Sequence, residues 1–299
     1  MKDEAVAAVI GMMLILGIIV TFLSIMNAVY IPSMKAQSEV IHLDSVRHEF
    51  LAFSSDIENT IAEKRAMKKS RILELGGGDV LLNPLKSSGT LSIESPSFED
   101  QYMTISTGST EFFGNSISYT YKPVGNFWIE QGYRWEDGVV NVTAGPSRET
   151  WLEFTNAKAA LEKINETANT YLEIKGERNS SIPTKCSSIT ISYVNLTPDP
   201  DYSFSSGNGE GSLNLNSSVV REIFPNADHL IITVRRGKPL PYAVFFKAQS
   251  DLETLDNEYD NIGGYYEDPV SGTLQINIDN SLFPVDTVIE RNEIRISAL

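Results

Sequence analysis

Apolar residues crowd the start of the chain, where residues 5–26 read AVAAVIGMMLILGIIVTFLSIM and no charge appears from Ala5 to Met34. As a helix rising 1.5 Å per residue, this apolar run is about 33 Å long, enough to cross the roughly 30 Å hydrocarbon core of a bilayer. It is longer than the apolar core of a removable secretory signal, and no A-x-A cleavage site follows it. Residues 1–34 are therefore expected to form a membrane-inserted helix, with Pro32 as the first breaker. Beyond it, Leu43, Val46, Phe50, Phe53, Ile57 and Ile61 recur three and four apart. That is a helical stripe, and Asp44, Arg47, Glu49, Asp56 and Glu58 fall on the wet faces. The pattern predicts an amphipathic stalk helix over 35–74. Its basic end (62–71, AEKRAMKKSR) would set Lys64, Arg65, Lys68, Lys69 and Arg71 against the negative pole of the helix dipole.

From residue 75 the period changes. The stretches DVLLNPL, GTLSIES, YMTIST, SISYTYKP, FWIEQGYRW and GVVNVTA are short, rich in β-branched and aromatic residues, and divided by Gly, Pro, Asn and Ser. They read as strands. SSITISYVNL, GSLNLN, HLIITVRRG, YAVFFKA, GTLQINI and NEIRISAL continue the series. Between the two groups, residues 147–174 carry Leu161, Ile164, Ala168 and Leu172 at helical spacing among Ala, Glu and Lys, and predict a helix whose ends could pair as strands. The fold class is thus α+β: a long N-terminal helix followed by a mainly antiparallel, sandwich-like β head over 75–299. The head could divide near 147–175.

Charge narrows the function. The 299 residues carry a formal net charge of -15, which repels nucleic acid, and no basic stripe with interleaved aromatics offsets it. Cys186 is the single cysteine, so neither an internal disulfide framework nor a cysteine-rich zinc site can form. It reads as a small buried residue. The shortness of the N-terminal flank favours a cytoplasmic N-terminus and an external acidic body, although Lys35 and Arg47 at the far end weaken the charge asymmetry.

The string Ala5-Val6-Ala7-Ala8-Val9-Ile10-Gly11, followed by Leu14 and Ile15, resembles the N-terminal segment of archaeal type IV pilins and pilin-like surface proteins. A second segment, Ser116–Ser147, is similar to a strand-rich stretch in the heads of such proteins, through Trp128, Glu130, Gln131, Tyr133, Trp135, Glu136, Gly138 and Val140. The resemblance covers about a fifth of the chain. It implies a hydrophobic helix that anchors in lipid or packs in a filament core, and partners that are other pilin-like subunits or surface-layer components. It also implies a short basic leader cut by a membrane peptidase; only Met1 and Lys2 precede Asp3 and Glu4 here. Asp3 or Glu4 would pair with a neighbour's amino terminus during assembly, and Gly11 and Gly17 would permit close helix approach.

Candidate chemistry is sparse. The glycines of LGGGD (75–79) lack the Lys-Ser/Thr that a phosphate loop needs, and read as a turn. His42 and His48 stand six apart, a poor spacing for shared metal ligation, and His229 is remote from both. No G-x-S-x-G or H-E-x-x-H occurs. Trp128, Tyr133 and Trp135 could form a sugar platform, although strand aromatics usually pack in cores. In DNEYDNIGGYYE (256–267), Asp256, Glu258, Asp260 and Glu267 match positions 1, 3, 5 and 12 of a calcium loop, with Asn261 where glycine is expected. Calcium is the one cofactor this pattern admits. Sequons at Asn141, Asn165, Asn179, Asn195 and Asn216 permit glycosylation of an external body.

The reading that joins these observations is a membrane-anchored, pilin-like cell-surface structural protein, single-pass with an external C-terminal body or assembled into a filament, and not an enzyme. Two alternatives remain open: an anchored adhesin or ligand-binding module that never polymerises, and a tethered polysaccharide hydrolase whose carboxylates linear spacing does not reveal.

Overall fold

The computed structural model describes residues 2–77, 80, 87–94, 101–108, 110–126, 128–145, 148–235, 238–268, 270–281 and 284–299, with side chains from Val9 onward. The chain begins as one nearly continuous helical rod: α1 (Lys2–Ile25), a five-residue π-helical turn (Met26–Tyr30) and α2 (Ile31–Glu63). Pro32 was expected to interrupt this rod. Instead the wide turn precedes it, with the Ile31 N–H donating to Met26 O, and Pro32 falls in the first turn of α2, where a missing N–H costs little. Burial begins abruptly at Ile31. Along α2 the stripe Ile31, Lys35, Glu39, His42, Leu43, Val46, Phe50, Phe53, Ile57 and Ile61 faces the head.

The stalk helix ends earlier than the expected 74. It stops at Glu63, with Lys64 in the left-handed region at φ 43°. Residues Met67–Glu74 form strand β1, paired antiparallel with Glu210–Ser217. The basic cluster therefore does not cap a helix. Alternation carries Lys69 and Arg71 to the side where both reach Asp56, while Lys68 and Ser70 face solvent.

Among the described residues fifteen strands form two sheets. The remaining strands are β2 (Ser88–Glu94), β3 (Gln101–Thr107), β4 (Thr110–Asn115), β5 (Ser118–Val124), β6 (Gln131–Glu136), β7 (Val139–Ala144), β8 (Arg148–Trp151), β9 (Leu172–Arg178), β10 (Cys186–Gly207), β11 (Glu210–Phe224), β12 (His229–Val234), β13 (Ile262–Asp268), β14 (Thr273–Ile278) and β15 (Asp286–Ala298). The larger sheet has the order β1-β11-β15-β10-β2-β5-β6-β7-β8, with β9 also on β10. The smaller runs β13-β14-β12-β3-β4. All pairs are antiparallel except β10 with β15, which run parallel from Ser188↔Asp286 to Pro198↔Ile296. Asp137 (φ 55°) and Gly138 (φ 83°) turn β6 into β7, the two positive dihedrals that a tight hairpin requires.

Two further helices are α3 (Ala157–Tyr171) and α4 (Pro239–Glu258). Asn156 caps α3, its Oδ1 accepting the Ala159 N–H at 3.0 Å. YAVFFKA, expected as a strand, lies inside α4. Leu240, Val244, Phe245, Ala248, Leu252 and Leu255 bury one helical face there, a period visible only when the downstream acidic stretch is included. The expected DVLLNPL strand and Asp79 of the LGGGD turn lie largely outside the described residues.

The core runs from the layer between α2 and the larger sheet into the smaller sheet and α4, where Ile105, Ile232, Ile276 and Val244 belong to the same cluster. Phe50 and Phe53 meet Tyr119 edge-on or tilted at 5.1 and 5.4 Å, and Tyr119 stacks on Trp135 at 5.2 Å. Trp135 Nε1 donates to Ser54 Oγ at 3.0 Å. Tyr133 and Trp135 are thus core residues rather than a sugar platform, and Trp128, 59% exposed, stands apart from them.

Candidate functional site

The segment with the clearest functional character is the rod below Ile31. Every large apolar side chain from Val9 to Tyr30 recorded as exposed is about half exposed or more, Leu14, Ile18 and Phe22 among them. No part of the most apolar window is buried. Two of its hydroxyls are satisfied within the helix: Thr21 donates to Gly17 O at 2.7 Å and Ser24 to Val20 O at 2.8 Å. Neither of these two hydroxyls is thus left as an unpaired donor toward an apolar environment. A Cβ added at Gly11 or Gly17 would meet nothing within 4 Å, and Gly17 floors a shallow groove walled by Ile10, Leu14 and Phe22. Asp3 and Glu4 lie in the first turn of α1; their side chains fall outside the described set.

The joint between rod and head is polar and closely fitted. His42 Nε2 lies 3.0 Å from Tyr121 Oη, and Tyr121 donates onward to Leu75 O at 2.8 Å. With that hydroxyl committed, Nε2 of His42 is the donor. Burial lowers the His42 pKa, against opposing contributions from Glu74 and Leu75. Gly77 lies against the ring so closely that a Cβ would come within 2.6 Å of it. Lower down, Glu39 Oε2 accepts the Trp128 N–H at 3.1 Å. Higher up, Asp56 accepts from Arg71 at 2.7 Å and Lys69 at 3.0 Å.

A polar cleft of about 580 Å³ opens where the two sheets meet. Arg134 reaches Glu94 at 3.1 Å and Glu136 at 3.4 Å, and Lys238 reaches Glu136 at 2.8 Å. Ser118 donates to Glu94 at 2.9 Å and Ser116 to Asp137 at 2.7 Å. Its carboxylates are matched by cations and hydroxyls. Linear sequence gave no sign of the cleft, because its residues come from six separate segments.

The calcium-loop reading is corrected. Asp256 and Glu258 fall in the last turn of α4, Asp260 follows the helix, and Glu267 lies on β13, where it accepts from Gln249 at 2.9 Å. The apolar stripe of α4 keeps this stretch helical, so its oxygens do not curl around one point. Asn261 is not in the left-handed region: its side chain clamps Cys186, accepting that N–H at 2.7 Å and donating to the Cys186 carbonyl at 3.0 Å. Among the described residues no three His, Cys, Asp or Glu side chains gather as a metal site.

Cys186 is buried, its thiol donates to Ser188 O at 3.1 Å, and desolvation pushes its pKa up to about 11. It is held as a neutral thiol, the opposite of a nucleophile's state. Of the sequons, Asn165 on α3 and Asn216 on β11 face solvent. Asn141, Asn179 and Asn195 are half-buried and engaged: Asn141 donates to Glu149, Asn179 accepts from Ser181 and Ile182, and Asn195 accepts from Asn115.

No protein-family model matches the chain, and neither a curated protein nor a solved structure matches it.

Proposed function

We propose that the chain is a membrane-anchored, pilin-like structural protein of the archaeal cell surface, with one spanning helix and its β-rich body outside. The observation that carries this reading is the rod itself: an apolar helix with no burial that continues, through a single π-turn, into a helix packed against the head. Water would penalise so much exposed aliphatic surface; lipid or neighbouring helices would not. Assembly into a filament is supported by Val40 and Ile41, which are 53% and 63% exposed although they lie well beyond the apolar run. At 1.5 Å per residue they sit roughly 20 Å past Met26, outside the hydrocarbon, where the same face of a neighbouring rod would cover them.

The test is mass spectrometry of the mature N-terminus in sheared extracellular material and in washed membranes. A trimmed terminus in the sheared fraction is expected. An intact terminus confined to membranes would favour the second reading, an anchored ligand-binding module, which the 580 Å³ cleft supports. Recovery of the protein from cell lysate without detergent, in neither fraction, would refute both.

A further inference from the structure

The face of β5 and β6 turned away from α2 floors a trench. Tyr119, Tyr121, Tyr133 and Trp135 all meet residues of α2. Strand alternation therefore sends Ser118, Thr120 and Lys122 of β5, with Gly132, Arg134 and Glu136 of β6, to the opposite face. The 580 Å³ cleft at the sheet junction opens along this face, and a second cleft of about 510 Å³ follows it toward the β5–β6 turn, between Lys122 and Arg148. Glu94 and Arg134 line both, so the two are one trench. Ser118 in the first cleft and Gly125 in the second stand about 20 Å apart along the strand.

The trench departs from the rest of the surface in charge. The chain carries a formal charge of -15, yet among the described residues each cleft is lined by three acidic and three basic side chains. Neither a polyanion nor a polycation gains net attraction there. The charged groups are within reach of a ligand: the side chains of Glu94 and Lys238 are 55% and 47% exposed, those of Arg134 and Glu136 26% and 22%. They also hold one another in place, with Glu94 and Glu136 flanking Arg134 at 3.1 and 3.4 Å, so a ligand meets a surface already ordered. A guanidinium has five donors and a carboxylate about four acceptor sites, more than these pairs occupy. An extended peptide that binds a sheet adds to a free edge, and the trench has none: β2, β5, β6 and β7 are each paired on both sides.

We propose that this trench binds a neutral, linear oligosaccharide. A hydroxyl donates and accepts, so it bonds a carboxylate and a guanidinium together without parting them. Adjacent ring hydroxyls match the two-pronged bite of either group. Pro123 in one cleft and Val270 in the other offer apolar surface to the ring faces. Because the trench faces away from α2, neither lipid nor a neighbouring rod around that helix covers it. The proposal goes beyond the structural role given above and uses no step of assembly, so the fractionation result does not decide it.

The experiment is a saturation-transfer NMR titration of the full chain in polyoxyethylene-ether micelles, which carry no sugar. The probes are maltohexaose, xylohexaose, mannohexaose and chitohexaose, each beside its monosaccharide, with hexagalacturonate and a blocked hexaalanine as charged and peptide comparisons. Saturable binding of at least one neutral hexasaccharide is expected, about tenfold or more tighter than its monosaccharide and unchanged between about 0.1 and 1 M NaCl. Lys238→Ala in the first cleft and Arg148→Ala in the second should each weaken it about tenfold. Both residues are exposed, so melting should not move in either variant. The proposal is overturned if no neutral hexasaccharide binds, if the monosaccharide binds as tightly, or if salt removes the binding. It is overturned equally if either variant leaves the affinity unchanged, or if the galacturonate or the peptide binds more tightly than every neutral probe.

Discussion

Asp56 of α2 and Arg71 of β1 meet at 2.7 Å across the junction of stalk and head. Asp56 is 7% exposed, and Lys69 completes its coordination at 3.0 Å. Burial alone would raise its pKa; the hydrogen bonds from Arg71 and Lys69 outweigh that and hold it below the usual 3.8. The stabilisation is therefore fully present above pH 3.8 and fades as pH falls through the lowered value. Asp56→Ala should cost about 1–3 kcal/mol in urea unfolding at neutral pH, reduced from a fully buried pair because both cations stay partly in water. An unchanged midpoint would mean that the pair only decorates the joint.

His42 is shifted in the same direction by a different cause. Its pKa is lowered by burial, so the folded state keeps it neutral while the unfolded chain takes up a proton near pH 6.5. Stability contributed by the neutral ring is present above pH 6.5 and declines as pH falls below it. Melting temperature measured across that range should drop on the acid side, and His42→Phe should flatten the profile there.

Ser54 anchors the indole of Trp135, which is itself fully buried. Ser54→Ala leaves Nε1 with no acceptor and should destabilise by about 1–3 kcal/mol. Ser54→Thr, which keeps the hydroxyl, should recover most of that loss. Chemical denaturation of the two variants side by side separates the hydrogen bond from the packing.

The rod below Ile31 contributes no buried residue among those described to the head's core. Deleting the chain before Ile31 should leave the melting temperature of the head within a few degrees and release it from membranes. In the full chain, Leu14→Arg or Ile18→Arg should each disfavour insertion by about 2.5–3.5 kcal/mol, read as a fall in the carbonate-resistant membrane fraction.

Sequence made the rod legible because twenty-two uncharged residues and a six-member stripe leave few alternatives. It misplaced the end of the stalk. Cations at the close of a helical pattern agree with the dipole rule, and only the pairing of Met67–Glu74 with β11 reveals that they alternate along a strand. YAVFFKA misled for the converse reason: aromatic and β-branched residues favour strands locally, whereas tertiary burial of Val244, Phe245, Ala248 and Leu252 selects the helix. Asp256 and Glu258 matched a calcium loop by linear count, a measure that is blind to the helix running through them. The two clefts were beyond reach altogether. Glu94 and Lys238, or Lys122 and Arg148, become neighbours only after sheets assemble from distant segments.

The parallel pairing of β10 with β15 also sets an order of events. β15 lies between β10 and β11, yet it is made after both, and after β12, α4, β13 and β14. Until it arrives, the middle of the larger sheet is missing, and the two strands that will flank it leave the ribosome with inner edges unfilled. Contacts so distant along the chain close slowly and expose strand edges meanwhile. The head therefore cannot mature strand by strand as it emerges. It must be kept from aggregating with its central slot open, and it locks in a late, largely concerted step when that segment inserts.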